Sequence, residues 1–156
     1  MITDATPTDA PRIAAIWNAV IRDTVATFTT AEKTPQGVAD AMTRQPFFVA
    51  RQGTDITGFA TYAQFRGGPG YAHTMEHTIH LADDARGQGH GRALMAHVEA
   101  HARAAGVHSI FAGISGENSD AIAFHAALGY VEAARLPQVG RKFGRWHDLV
   151  LMQKFL

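Results

Sequence analysis

The stretch Arg86-Gly87-Gln88-Gly89-His90-Gly91 constrains this chain more than any other, because it joins an alternating strand pattern to an amphipathic helix pattern. Glycines at such a crossover leave the first amides of the helix open, and the missing β-carbons let an anion approach them. Family-specific spacings separate the possible uses. A nucleotide-hydrolase phosphate loop ends in Gly-Lys-Ser/Thr, whereas His90 and Gly91 follow Gly89. A dinucleotide fingerprint needs a third glycine three places after the second, where Arg92 stands. What remains is Arg86-x-x-Gly89-x-Gly91, read either as an anion-binding turn or as an ordinary glycine turn into a core helix.

The segments around it set the fold class. From His73 to about Ala82 the chain reads as a strand, with Met75, His77, Ile79 and Leu81 on one face and Thr74, Glu76, Thr78 and His80 on the other. After the turn, Leu94, Met95, Val98 and Ala102 line a helix that stops at Gly106. Upstream, Thr8 caps a helix carrying Ile13, Ile16, Trp17, Val20 and Ile21, and Thr34-Pro35 opens a shorter one ending near Arg44. Phe47 to Arg51 and Ile56 to Gln64 read as a hairpin. Downstream come a strand at His108 to Ile114, a helix at Asn118 to Leu128, and closing strands at Tyr130 to Arg135 and Trp146 to Phe155 around a loop from Pro137 to Gly144. This order predicts an α/β fold, a mixed central sheet flanked by helices, with residues 1–156 as a single domain.

Fourteen basic and fourteen acidic side chains cancel, so no positive field favours nucleic acid or an anionic membrane surface. The absence of cysteine excludes a disulfide framework, a thiol nucleophile and thiolate-held zinc. No basic leader and no membrane-length apolar run is visible, and the expected setting is cytoplasmic. Nine histidines invite a metal reading. On a strand, however, His73 and His77 share a face that His80 does not, and no helical His-Glu-x-x-His run exists, so no metal is expected.

Two motifs in order now bear on identity. Arg86-x-x-Gly89-x-Gly91, followed by Asn118-Ser119-Asp120-Ala121-Ile122-Ala123-Phe124-His125-Ala126-Ala127-Leu128-Gly129-Tyr130, resembles the coenzyme A segments of the GCN5-related N-acetyltransferases. Asn18 with Thr27-Phe28, Phe65 to Tyr71, Met75-Glu76-His77-Thr78 and Val139 to Asp148 look like the phosphinothricin and methionine sulfoximine acetyltransferase branch. The resemblance covers nearly the whole chain. It implies acetyl-CoA as co-substrate, with the pyrophosphate on Arg86, Gly87, Gln88, Gly89, His90, Gly91 and Arg92, pantetheine along Ile79 to Leu81, and Asn118 as a further contact. It also implies a small amino-acid-like amine as acceptor, no covalent enzyme intermediate, and a homodimer in which the loop around Lys142 completes the partner's pocket.

Acetyl transfer to an amine needs the amine neutral and the leaving thiolate protonated. Glu76, charged in mid-strand, is the candidate base, or else a solvent-facing strand glutamate. The branch carries a glutamate at this position. His125 stands where many members of the superfamily have a tyrosine proposed to protonate the thiolate; as imidazolium it can do so, or it only packs. Arg66, before Gly-Gly-Pro-Gly, is a candidate clamp for a substrate carboxylate, with Lys142 as a second cation and Phe28 and Tyr71 as pocket walls. The rival readings are an acetyltransferase for a peptide or other amine and a noncatalytic acyl-CoA sensor.

Overall fold

The computed structural model describes residues 1–156. Eleven elements follow in order: β1 (Ile2–Asp4), α1 (Ala10–Asp23), α2 (Pro35–Met42), β2 (Phe47–Gln52), β3 (Asp55–Gln64), β4 (Thr74–Leu81), α3 (His90–Ala104), β5 (Ser109–Ser115), α4 (Ser119–Ala127), β6 (Val131–Lys142) and β7 (Arg145–Phe155). The strands form one sheet in the order β1-β2-β3-β4-β5-β7-β6. Only β4 and β5 are parallel, because the connection between them is the crossover through α3.

Period-two alternation assigns the two faces. On one face Phe47, Val49 and Phe59 pack against Ile13 and Ile16 of α1 and Val38 of α2. On the other, Phe48, Ala50, Ala60, Tyr62 and Ile110 pack against Leu94, Met95, Val98 and Ala102 of α3. Leu94, Met95 and Val98 are fully buried, and each contributes about 1.5–3 kcal/mol in burial alone. That packing fixes the axis of α3 and so the position of the glycine-rich turn at its start.

The expected β4 faces are observed. Met75, Ile79 and Leu81 pack on the α3 side, while His80 meets Trp17 and Phe59 on the other. Two local expectations are corrected. Helix α1 does not begin on a Thr8 cap; a short helical turn at Pro7–Asp9 precedes it, and the Asp9 carboxylate accepts from the Thr6 amide at 2.8 Å. Asp9 does double duty there, since Arg51 also donates to it at 2.8 Å and ties the turn to β2.

The second correction concerns Pro137 to Gly144, which is strand over most of its length. β6 slips register between Leu136 and Gly140, then pairs Gly140 with His147, Arg141 with Trp146 and Lys142 with Arg145. Phe143 and Gly144, at φ 52° and 74°, close it as a two-residue hairpin with both residues left-handed. Gly140 is required by packing: a β-carbon there would lie 2.6 Å from Cε2 of Phe28.

Candidate active site

Pairing between β4 and β5 runs from Thr74 opposite Ser109 to His77 opposite Ala112 and then stops. Both strands continue, β4 to Leu81 still paired with β3 and β5 to Ser115 still paired with β7. They therefore part into a wedge, and the β5-facing edge of Thr78 to Leu81 has no strand partner. The wedge opens into a cleft of about 650 Å³. Its floor is β4, β5 and the α4 residues Ala121, Phe124 and His125; its far wall is the connection between α1 and α2, with Ala26, Thr27, Phe28, Thr29 and Lys33.

Arg86 and Gly87 stand at one end of the cleft. Gly87 and Gly89 have φ of 75° and 84°, a conformation that strains any side chain with a β-carbon. Ala93 is the first residue of α3 whose amide reaches a main-chain carbonyl, that of Gly89 at 3.1 Å, so the amides from Gly87 to Arg92 have no protein acceptor. Gly91 serves packing instead: a β-carbon there would press on Phe124 at 3.3 Å. His90 is held by Thr57, Nδ1 to Oγ1 at 2.6 Å. Open amides beside Arg86 fit a pyrophosphate, and the unpaired edge of Thr78 to Leu81 fits a linear amide-bearing chain laid alongside it as an extra strand. Asn118 lines the cleft and caps α4, its Oδ1 accepting from the Ala121 amide at 3.1 Å.

Glu76 stands one residue before His77, the last position of β4 paired with β5, and it lines the cleft. Its carboxylate lies over the bare backbone of Gly113 on β5, where a β-carbon would stand 3.3 Å from Oε2. No side chain pairs with it, and desolvation by the cleft walls raises its pKa above the ordinary value of 4.5. An unpaired carboxylate of raised pKa is a proton acceptor held without competition.

His125 is not a free imidazolium. Its Nδ1 must carry hydrogen, since it stands 2.7 Å from the carbonyl of Ala121, which only accepts. Its Nε2 lies 3.2 Å from Nε2 of His77, with the two rings stacked at 5.1 Å. Burial lowers the pKa of His125 and holds that of His77 down to about 3, so neither ring is charged near neutral pH. His77 then donates to His125, and both nitrogens of His125 are engaged. Of the two readings of His125, this arrangement supports the one in which the ring packs and hydrogen-bonds on the cleft floor.

Three further expected residues stand outside the cleft of this chain. Lys142 is buried and does not line the cleft; its ammonium donates to the carbonyls of Thr24 at 2.6 Å and Thr27 at 2.8 Å, which pins the wall carrying Phe28. Arg66 and Tyr71 lie outside the cleft on an exposed loop, with the guanidinium 6.0 Å from the tyrosine ring. The side chain of Gln64 folds that loop by donating to the carbonyls of Arg66 and Gly68, both at 2.6 Å.

Phe28 does reach the cleft, stacked on the buried ring of His147 at 5.4 Å. The sequence reading missed Trp17, Lys33 and Gly113, all of which line the cleft. The cation of Lys33 lies 4.7 Å over the Trp17 ring. No periodicity marks the α1–α2 connection, so only the fold reveals Lys33. No three His, Asp or Glu side chains converge as a metal ion requires.

Comparison with known proteins accords with this geometry. An L-methionine sulfoximine/L-methionine sulfone acetyltransferase of Pseudomonas paraeruginosa (strain DSM 24068 / PA7) is 38% identical, over 97% of this chain and 92% of that protein. A ribosomal-protein-alanine N-acetyltransferase from Brucella melitensis superposes with a TM-score of 0.96 at 37% identity, covering 100% of this chain and 99% of the other. A GNAT superfamily phosphinothricin acetyltransferase from Sinorhizobium meliloti, solved in complex with AcCoA, superposes with a TM-score of 0.95 at 29% identity, covering 100% and 88%. The model of the acetyltransferase (GNAT) family matches residues 13–130, the span that holds the wedge, the glycine-rich turn and helix α4. The chain belongs to the acetyltransferase (GNAT) family.

Proposed function

We propose that this protein transfers acetyl from acetyl-CoA to the amino group of a small amino-acid-like acceptor of the methionine sulfoximine or phosphinothricin type, by direct attack in a ternary complex. The observation that carries the reading is Glu76, an unpaired carboxylate that lines the cleft over the bare backbone of Gly113, one residue before the pairing of β4 with β5 ends. The relatives named for methionine sulfoximine and phosphinothricin support the acceptor class.

Acetyl-CoA supplies an acetyl group activated as a thioester. The chain's own residues do the rest. Amides Gly87 to Arg92, with Arg86, hold the pyrophosphate, and the free edge of Thr78 to Leu81 aligns the pantetheine. An amino-acid ammonium cannot attack, so Glu76 takes its proton, directly or through water, and leaves a nucleophilic lone pair. No cysteine is present to accept the acetyl group covalently, in keeping with direct attack. His125, neutral and doubly engaged, shapes the floor, and solvent supplies the proton for the departing sulfur.

The same reading includes a homodimer in a cytoplasmic setting. Its support is the exposed apolar surface of the β6–β7 hairpin at the sheet edge, where Val139, Phe143 and Trp146 are each more than half exposed. No helix of the chain is long and apolar enough to cross a membrane.

The test is an acetyl-CoA turnover screen against methionine sulfoximine, phosphinothricin, methionine sulfone, a polyamine and a short peptide. The expected result is thiol release matched by N-acetyl product with the amino acids and none with the polyamine. Binding of acetyl-CoA with no product from any amine would identify a sensor, and product from the peptide alone would move the acceptor class.

A further inference from the structure

The charged groups of the cleft wall sort into few roles. His77 is buried and His80 half-buried, both neutral near pH 7, and His125 is engaged on both nitrogens. Two cations then line the cleft, Arg86 and Lys33. Arg86 belongs to the glycine-rich turn and lies 3.4 Å from Asp83. Lys33 is on the opposite wall, half-buried, with no carboxylate partner, because the adjacent Glu32 is turned to Arg22 at 3.7 Å. Its ammonium rests over the Trp17 ring, which orients it without neutralising it.

The backbone of Lys33 is also placed deliberately. Asn18 of α1 grips it twice: Oδ1 accepts from the Lys33 amide at 2.7 Å, and Nδ2 donates to the Lys33 carbonyl at 2.8 Å. The connecting segment is fixed again nearer α1 by Lys142 on Thr24 and Thr27. A long connection without secondary structure is thus tied at both ends, and the end held by Asn18 carries the unpaired cation that lines the cleft. Arg66 and Lys142 stand outside the cleft of this chain.

We propose that Lys33, set by Asn18 and Trp17, is the specificity-determining contact for the α-carboxylate of the acceptor. This rests on the acetyltransferase reading above and names which residue gives it a preference for amino acids. Glu76 meets the acceptor's amine and Lys33 its carboxylate, so a zwitterion satisfies both charges whereas a simple amine leaves the lysine unanswered.

The experiment compares wild type, Lys33→Met and Lys33→Arg with methionine sulfoximine and with its carboxamide, and measures acetyl-CoA affinity alongside. Methionine keeps an apolar stem against Trp17 and removes the charge. The expected result is a KM for the amino acid raised about tenfold or more in Lys33→Met, with kcat nearly unchanged. The carboxamide's KM and the acetyl-CoA affinity should stay at wild-type values, and Lys33→Arg should restore most of the loss. An equal rise for acid and carboxamide would overturn the proposal, and weakened acetyl-CoA binding would assign Lys33 to the cofactor's phosphates instead. A wild-type protein that acetylates neither acceptor overturns the reading beneath, which keeps the two failures apart.

Discussion

Phe28 lies flat against the backbone of Gly140, so close that a β-carbon at 140 would overlap its ring. One wall of the cleft is therefore set by a glycine on β6, 112 positions away in sequence. His147, which pairs with Gly140 across the hairpin, stacks on the same ring at 5.4 Å, and its Nε2 donates to the Lys142 carbonyl at 3.0 Å.

Gly140→Ala should therefore act at a distance. The ring must leave its seat, and overpacking of this kind costs about 1–3 kcal/mol. We expect a lower unfolding midpoint and a raised KM for the acceptor, with acetyl-CoA affinity unchanged. Unaltered stability together with unaltered acceptor KM would show that the contact is not a constraint.

Gly89→Val should damage the opposite end. The branched residue must adopt φ near 84° and would stand before the open amides of α3. Titration of the folded variant with acetyl-CoA should show affinity reduced about tenfold or more, the scale of a lost charge-assisted hydrogen bond. Wild-type affinity would remove the pyrophosphate from this turn.

Acid should destabilise the fold before carboxylates titrate. Burial lowers the pKa of His77 to about 3 and that of His80 to about 4, against 6.5 in an open chain. The unfolded state thus takes up protons first as pH falls through 6.5, so the stability is complete above that value and declines below it. The slope is about 1.4 kcal/mol per pH unit for each histidine, until the folded pKa values are reached. Urea midpoints at about pH 7.5 and about pH 5 check it, and His77→Gln should flatten the dependence. Equal midpoints would mean that these rings are not held neutral by burial.

Much of this architecture is legible in sequence because periodicity survives wherever an element buries one face. Met75, Ile79 and Leu81 announce β4, and Leu94, Met95 and Val98 announce α3, by spacing alone. The glycine-rich turn is legible for the same local reason. What resists reading is set by distant partners. Pro137 and Gly140 break the alternation of β6, yet the strand continues because Gly140, Arg141 and Lys142 resume pairing with β7, and the glycine leaves room for Phe28. Lys142 looks like a free loop cation until the fold brings the carbonyls of Thr24 and Thr27 to it. His125 looks like an acid until His77, 48 residues away, meets its second nitrogen. The wedge itself depends on where pairing between β4 and β5 stops, a register fact with no sequence signature.

The central claim is that Glu76 takes the amine proton during acetyl transfer, and turnover of Glu76→Gln beside its acetyl-CoA affinity measures this most directly. The amide keeps the size of the side chain and loses the basic oxygen. We predict an intact fold, wild-type acetyl-CoA affinity and turnover reduced about 100-fold or more near pH 7. The deficit should narrow as pH rises and the amine deprotonates unaided. In the wild type, the acid limb of the rate profile should lie above the ordinary carboxylate value of 4.5, because desolvation raises the pKa of Glu76. Equal turnover of the two proteins at neutral pH, with equal acetyl-CoA affinity, would contradict the account.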